Sequence, residues 1–155
     1  MEDLCKDVIV EWQGDLAFLG RNESGGSVQM GTLDGMPGIG PMEMLLLGIA
    51  GCTGIDVVST LKKQRQPLQE LKIKVRGRRA DDHPRVYKEI EVVYLLWGHG
   101  LDPAAVERAI RLSDEKYCSA SAMMRSTAEV RTTYRIFSPN EQAEIEVLKV
   151  NQANQ

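Results

Sequence analysis

Two cysteines offer chemistry. Cys52 sits in the apolar, glycine-rich run Gly48-Ile49-Ala50-Gly51-Cys52-Thr53-Gly54, and Cys118 in Glu115-Lys116-Tyr117-Cys118-Ser119-Ala120. The thiolate, not the thiol, is the nucleophile, and an ordinary cysteine with a pKa of about 8.5 is mostly protonated near neutral pH. Burial among apolar side chains raises that value, so Cys52 needs a cationic or hydrogen-bonding partner. Two thiols brought together by a fold make a redox pair: one is oxidised to a sulfenic acid, and the other traps it before irreversible oxidation. Cys118 stands where one helix ends and a new turn begins. A helix start there would favour its thiolate as a leaving group. Taken singly, each cysteine also reads as a core or incidental thiol, and Cys5, alone near the terminus, belongs to no pattern.

Three cysteines are too few, and odd in number, for a disulfide scaffold. A metal site would need Cys52 and Cys118 joined by His83 or His99. No CxxC or HxxxH spacing supports it, and both histidines sit at turns, so no metal and no cofactor is expected.

The elements that must position the thiols follow from the pattern. Val8-Ile9-Val10-Glu11-Trp12, Leu16 to Gly20 and Ser27 to Thr32 read as three short strands, separated by Gly14-Asp15 and Ser24-Gly25-Gly26. A loop dense in Gly and Pro leads to Pro41, suited to the first turn of a helix. Apolar residues at Met42, Leu45, Leu46, Ile49, Ile55, Val58 and Leu61 then predict a helix to about Gln64, ended by Lys62-Lys63-Gln64-Arg65 and Pro67. Its first half is apolar almost all round, which predicts a central, buried helix. Gly48, Gly51 and Gly54 inside it each cost roughly 1 kcal/mol relative to Ala. They make a ridge where another backbone can approach closely, or where a substrate reaches Cys52.

Two long strands come next. Ile73 and Val75 alternate with Lys72, Lys74, Arg76 and Arg78; Ile90, Val92, Tyr94 and Leu96 alternate with Glu89 and Glu91. Asp81-Asp82-His83-Pro84 turns between them. The basic stripe pairs with the glutamates across the hairpin, and it lacks the interleaved aromatics of a base-stacking surface. Asp102-Pro103 opens a second helix, to about Tyr117, and Ser119 to Met124 a third. Glu129 to Phe137 is a last strand, ended by Ser138-Pro139-Asn140. This order is α+β rather than alternating βαβ.

The chain has 155 residues, 43% hydrophobic and 26% charged, with a net charge of -3. That fits one globular domain, which by chain position spans 1–138, with a tail over 139–155. The mildly acidic balance argues against nucleic acid and anionic membrane as partners. The acidic start Met1-Glu2-Asp3-Leu4-Cys5-Lys6 is no secretory signal, and the apolar stretch Met44 to Cys52 is too short to span a membrane. The expected compartment is the cytoplasm.

With these residues in view, the chain resembles the OsmC/Ohr family of thiol-dependent hydroperoxide reductases. The resemblance rests on Pro41-Met42-Glu43-Met44-Leu45, on Gly51-Cys52 and on Glu115-Lys116-Tyr117-Cys118, over roughly residues 7–137. It is similar to a less-studied OsmC-like branch through Gly51-Cys52-Thr53-Gly54-Ile55-Asp56-Val57-Val58. The resemblance implies an OsmC-like fold, antiparallel sheets around a long central helix, in an intertwined homodimer with sites at the interface. It implies Cys52 as the peroxidatic thiolate attacking an organic hydroperoxide, Cys118 as the resolving thiol, and a dithiol reductant of lipoyl type. Glu43 matches the family's catalytic glutamate, although its proline stands one place early. Nine residues of continuous helix would put Glu43 about 14 Å from Cys52 and on the opposite face, so the helix breaks near Gly48 or Glu43 serves a partner subunit's site. Glu43 reads equally as a charge on its own helix dipole. Arg21, in Gly20-Arg21-Asn22, matches the family's arginine; Arg79, Arg85 or Arg125 are the substitutes. Met42, Leu46, Met123 and Met124 would line an apolar pocket or serve as ordinary core. A second reading is a non-catalytic module binding an apolar ligand at the dimer interface, with the cysteines far apart or an uncharged surround at Cys52.

Overall fold

The computed structural model describes residues 4–143; the tail positions Ile145, Val147 and Val150, like Met1 to Asp3, lie outside them. The fold is mixed α+β, with two sheets and three α-helices among the described residues, and it divides into two compact units that part between Leu45 and Leu46.

The first unit is an antiparallel meander of β1 (Val8–Gly14), β2 (Leu16–Asn22) and β3 (Ser27–Thr32). Asp15 and Gly14 take positive φ at the first turn, and Gly25 at the second. The sheet buries little: Ala17 is enclosed, whereas Val8, Ile9, Val10, Trp12 and Leu16 are exposed.

Helix α1 (Pro41–Lys63) runs unbroken through Gly48, Gly51 and Gly54. Contrary to the expectation of burial all round, its buried residues are Ile49, Thr53, Val57 and Leu61, a single stripe at i, i+4, i+8 and i+12. Ile55 on the other side is 73% exposed. By length and composition alone α1 would pass for a membrane span. Its buried stripe instead marks it as the core helix of the second unit, since Thr53 bonds Tyr94 of the second sheet and Gly54 lies close to Ile73.

That sheet has the order β4 (Leu68–Arg79), β5 (Tyr87–Gly98), β6 (Glu129–Phe137). β4 and β5 form the expected hairpin, with Arg78 opposite Glu89 and Arg76 opposite Glu91; the Arg78 guanidinium reaches Glu89 at 2.9 Å. β6, however, lies parallel to β5. Its connection carries α2 (Pro103–Leu112) and α3 (Ser119–Met124), long enough for a crossover, and strand composition alone does not fix direction. β5 is therefore central, which accounts for its apolar end: Tyr94, Leu95, Leu96 and Trp97 are all buried. Gly98 is required there, because a Cβ would collide with the Pro67 carbonyl oxygen.

The predicted second helix stops early. Asp102 caps α2 by accepting from the Ala104 N–H at 3.0 Å. From Ser113 to Tyr117 the backbone widens into a π-helical turn, closed by the Cys118 N–H donating to the Ser113 carbonyl at 2.8 Å. Such turns re-aim side chains and concentrate at functional sites.

A candidate redox site around Cys52 and Cys118

α1 presents Cys52 and, one turn later, Asp56 on one face, because residues four apart on a helix are neighbours. The π-helical turn ends at Cys118, which is extended (φ -75°, ψ 95°) and caps α3. The two Sγ atoms and a carboxylate oxygen of Asp56 lie within 4.8 Å of one another. Cys118 is buried, whereas Cys52 and Asp56 are half-buried. Both cysteines are free, so the pair stands as two thiols poised to close.

Cys118 is held by Ser121. Its Sγ–H donates to Ser121 Oγ at 3.2 Å, and the Ser121 N–H donates back to Sγ at 3.4 Å. Burial pushes the Cys118 thiol above its ordinary value; the Ser121 N–H and, once the sulfur ionises, the Ser121 hydroxyl donate to it and pull it down, and Cys52 alongside pushes it up again.

Beneath the thiols runs a chain of hydroxyls. The Ser113 hydroxyl donates to Asp56 Oδ2 at 2.9 Å. Having a single proton, it must accept from Thr53, 2.8 Å away, and Thr53 in turn must accept from the Tyr94 hydroxyl. The direction Tyr94 to Thr53 to Ser113 to Asp56 follows from the carboxylate at its end. All three hydroxyl residues are buried. Burial pushes the Tyr94 phenol up to about 12, and the negative charges of Asp114, Cys118 and Asp56 add to the rise.

Sequence reasoning missed this floor. Its signal was present, since Thr53 and Asp56 are the polar residues on an otherwise apolar helix face beside Cys52. Ser113 and Tyr94 carried no comparable mark; topology brings them there.

The other expected site residues make local contacts. Glu43, in the first turn of α1, accepts from the Gly40 N–H at 2.7 Å and so caps its own helix. Arg21, on β2, lies 3.6 Å from Glu11. Arg79 donates to the Arg85 carbonyl at 2.7 Å at the hairpin end, and Arg125 pairs with Asp114 at 3.4 Å. Leu46 lies close to Gly77 on β4, and Met123 is 69% exposed. His83 and His99 are not in the cluster that gathers the cysteines; Asp56 takes the third place.

This arrangement has relatives. Residues 33–133 match the family described as OsmC-like protein, and the chain belongs to that family. Protein YhfA of Escherichia coli strain K12 is 37% identical over 127 residues, covering 82% of this chain and 95% of YhfA. A crystal structure of a hypothetical protein from Aquifex aeolicus VF5 is 35% identical with a TM-score of 0.79, covering 92% of this chain and all (100%) of that one. The organic hydroperoxide resistance protein OhrB of Bacillus subtilis shares the fold, with a TM-score of 0.58 at 18% identity over 85% of this chain and 98% of its own.

Proposed function

We propose that this protein is a thiol peroxidase that reduces organic hydroperoxides. The observation that carries the reading is the convergence of Cys52 and Cys118, from a long helix and a distant helix cap, to within 4.8 Å. In the reaction, the Cys52 thiolate attacks the O–O bond of the hydroperoxide; sulfur is oxidised to a sulfenic acid and the alcohol leaves, taking a proton. The Cys118 sulfur then attacks the Cys52 sulfur, water departs and a disulfide forms. A dithiol reductant of lipoyl type returns both thiols through a mixed disulfide. The structural likeness to a hydroperoxide resistance protein supports this reading. The alternative of a non-catalytic ligand module expected the cysteines far apart or an uncharged surround at Cys52; the convergence of the two sulfurs speaks against the first of these marks.

The protein acts as a homodimer in the cytoplasm, where reductants keep the pair open. Support comes from two apolar surfaces. One is β1 and β2, with Val8, Ile9, Trp12 and Leu16 exposed. The other is a groove of about 830 Å³ floored by Gly51 and Gly54 and walled by Leu47, Ile55, Val58, Leu71 and Ile73. Faces of this kind on a small protein mark association. In a dimer, Glu43 and Arg21 complete the site of the partner chain and supply the charge that activates Cys52.

The test is steady-state consumption of tert-butyl hydroperoxide with dihydrolipoamide as reductant, beside sedimentation equilibrium. Turnover abolished by Cys52→Ser and reduced by Arg21→Ala, in a dimer, is the expected result. A monomer, or turnover untouched by Cys52→Ser, overturns the reading.

A further inference from the structure

We propose that the reduced Cys52–Asp56–Cys118 cluster is a binding site for a thiophilic divalent cation of the zinc type, one ion per chain. The donor atoms, two sulfurs and a carboxylate oxygen, already lie within 4.8 Å of one another. A tetrahedral zinc with Zn–S of about 2.3 Å and Zn–O of about 2.0–2.2 Å needs them roughly 3.5–3.8 Å apart, so the 4.8 Å bound is within about 1 Å of the spacing one ion requires.

Three features beyond proximity make this a built site. The first is chelate geometry: Cys52 and Asp56, four apart on one helix, and Cys118, on a separate cap, approach from two sides. The second is an outer shell. Ser113 holds the Asp56 carboxylate at 2.9 Å, and the Ser121 N–H and hydroxyl hold the Cys118 sulfur; such partners orient ligands and raise their affinity. The third is access. A cavity of about 410 Å³ is lined by Asp56 together with Ile55, Ser59, Leu112 and Tyr117. It reaches the cluster on its Asp56 side; neither cysteine lines it.

The donor set also selects the ion. Two thiolates and one carboxylate carry three negative charges, which a divalent cation offsets to leave one. Sulfur ligands disfavour magnesium and calcium and favour zinc and its analogues. Because the same two sulfurs bind the metal or form the disulfide, the metal-loaded and oxidised states exclude each other. The inference does not depend on peroxidase activity.

Cobalt(II) added without oxygen to the reduced, full-length protein is the probe. The expected result is one ion per chain, with a thiolate-to-cobalt charge-transfer band in the near ultraviolet and the intense visible bands of a tetrahedral ion, displaced by zinc. Cys52→Ser and Cys118→Ser each diminish the charge-transfer band. Asp56→Asn weakens zinc affinity at least about tenfold, the lower end of what losing even an outer-shell partner costs. Wild-type protein oxidised to the disulfide, which needs no variant to fold, binds none. Absence of the charge-transfer band, the weak octahedral spectrum of cobalt, equal binding by the oxidised protein, or unchanged affinity in Asp56→Asn overturns the proposal. Cobalt binding without peroxide turnover leaves this inference standing and removes only the peroxidase reading.

Discussion

Replacing Thr53 by Val cuts the hydroxyl chain at its middle while nearly conserving side-chain volume, so the cost is polar rather than a cavity. Thr53 and Tyr94 are 1% and 0% exposed. Without Thr53 the Tyr94 hydroxyl is a buried donor with no acceptor, a loss of about 1–3 kcal/mol. Ser113 keeps Asp56 but loses the donor to its own oxygen, a further roughly 0.5–1.5 kcal/mol. The sum, about 1.5–4.5 kcal/mol, corresponds to a fall in Tm of roughly 3–18 °C for a chain of this length. Tyr94→Phe is milder, about 0.5–1.5 kcal/mol, because Thr53 still donates to Ser113. In the double variant no phenol is left stranded, so the cost falls short of the sum by about 1–2 kcal/mol. Urea unfolding of wild type, both single variants and the double variant measures this directly. Strictly additive costs, or a Thr53→Val loss below about 0.5 kcal/mol, would refute the directed chain.

Three further outcomes are expected. The folded state holds the Tyr94 proton while the unfolded state releases it, so this contribution is intact below pH 10.0 and disappears as pH rises towards about 12. At most about 2–3 kcal/mol is lost, and a pH series of urea unfolding on Tyr94→Phe should lack that component. Ser121→Ala removes a hydrogen bond that lowers the Cys118 pKa; resolution slows several-fold at neutral pH, seen as a longer-lived sulfenic acid in dimedone trapping. Gly98→Ala forces a methyl group onto the Pro67 carbonyl and the Leu101 side chain; thermal melting should show a loss of about 1–3 kcal/mol.

Most elements were legible because each carries its own punctuation. Pro41 and Pro67 bracket α1, Asp102-Pro103 starts α2, and alternation marks β4 and β5. The parallel direction of β6 was not legible, since a strand reads alike either way and the helical connection permits both. Nor was the one-sided burial of α1: Leu47 and Ile55 are as apolar as Ile49, and only the placement of the sheet decides which face is covered. The cysteine pair was readable as two thiols in distinctive contexts. Its floor was not, because Tyr94 and Ser113 look like ordinary strand and helix residues until the π-helical turn aims Ser113 at Asp56.

The most direct test of the central claim is single-turnover oxidation of the reduced protein by cumene hydroperoxide and by hydrogen peroxide, with free thiols counted and disulfides mapped by mass spectrometry. The account predicts rapid loss of two thiols per chain, faster with the organic peroxide, and a bond joining Cys52 to Cys118. Slow, unselective oxidation that Cys52→Ser leaves unchanged would contradict it.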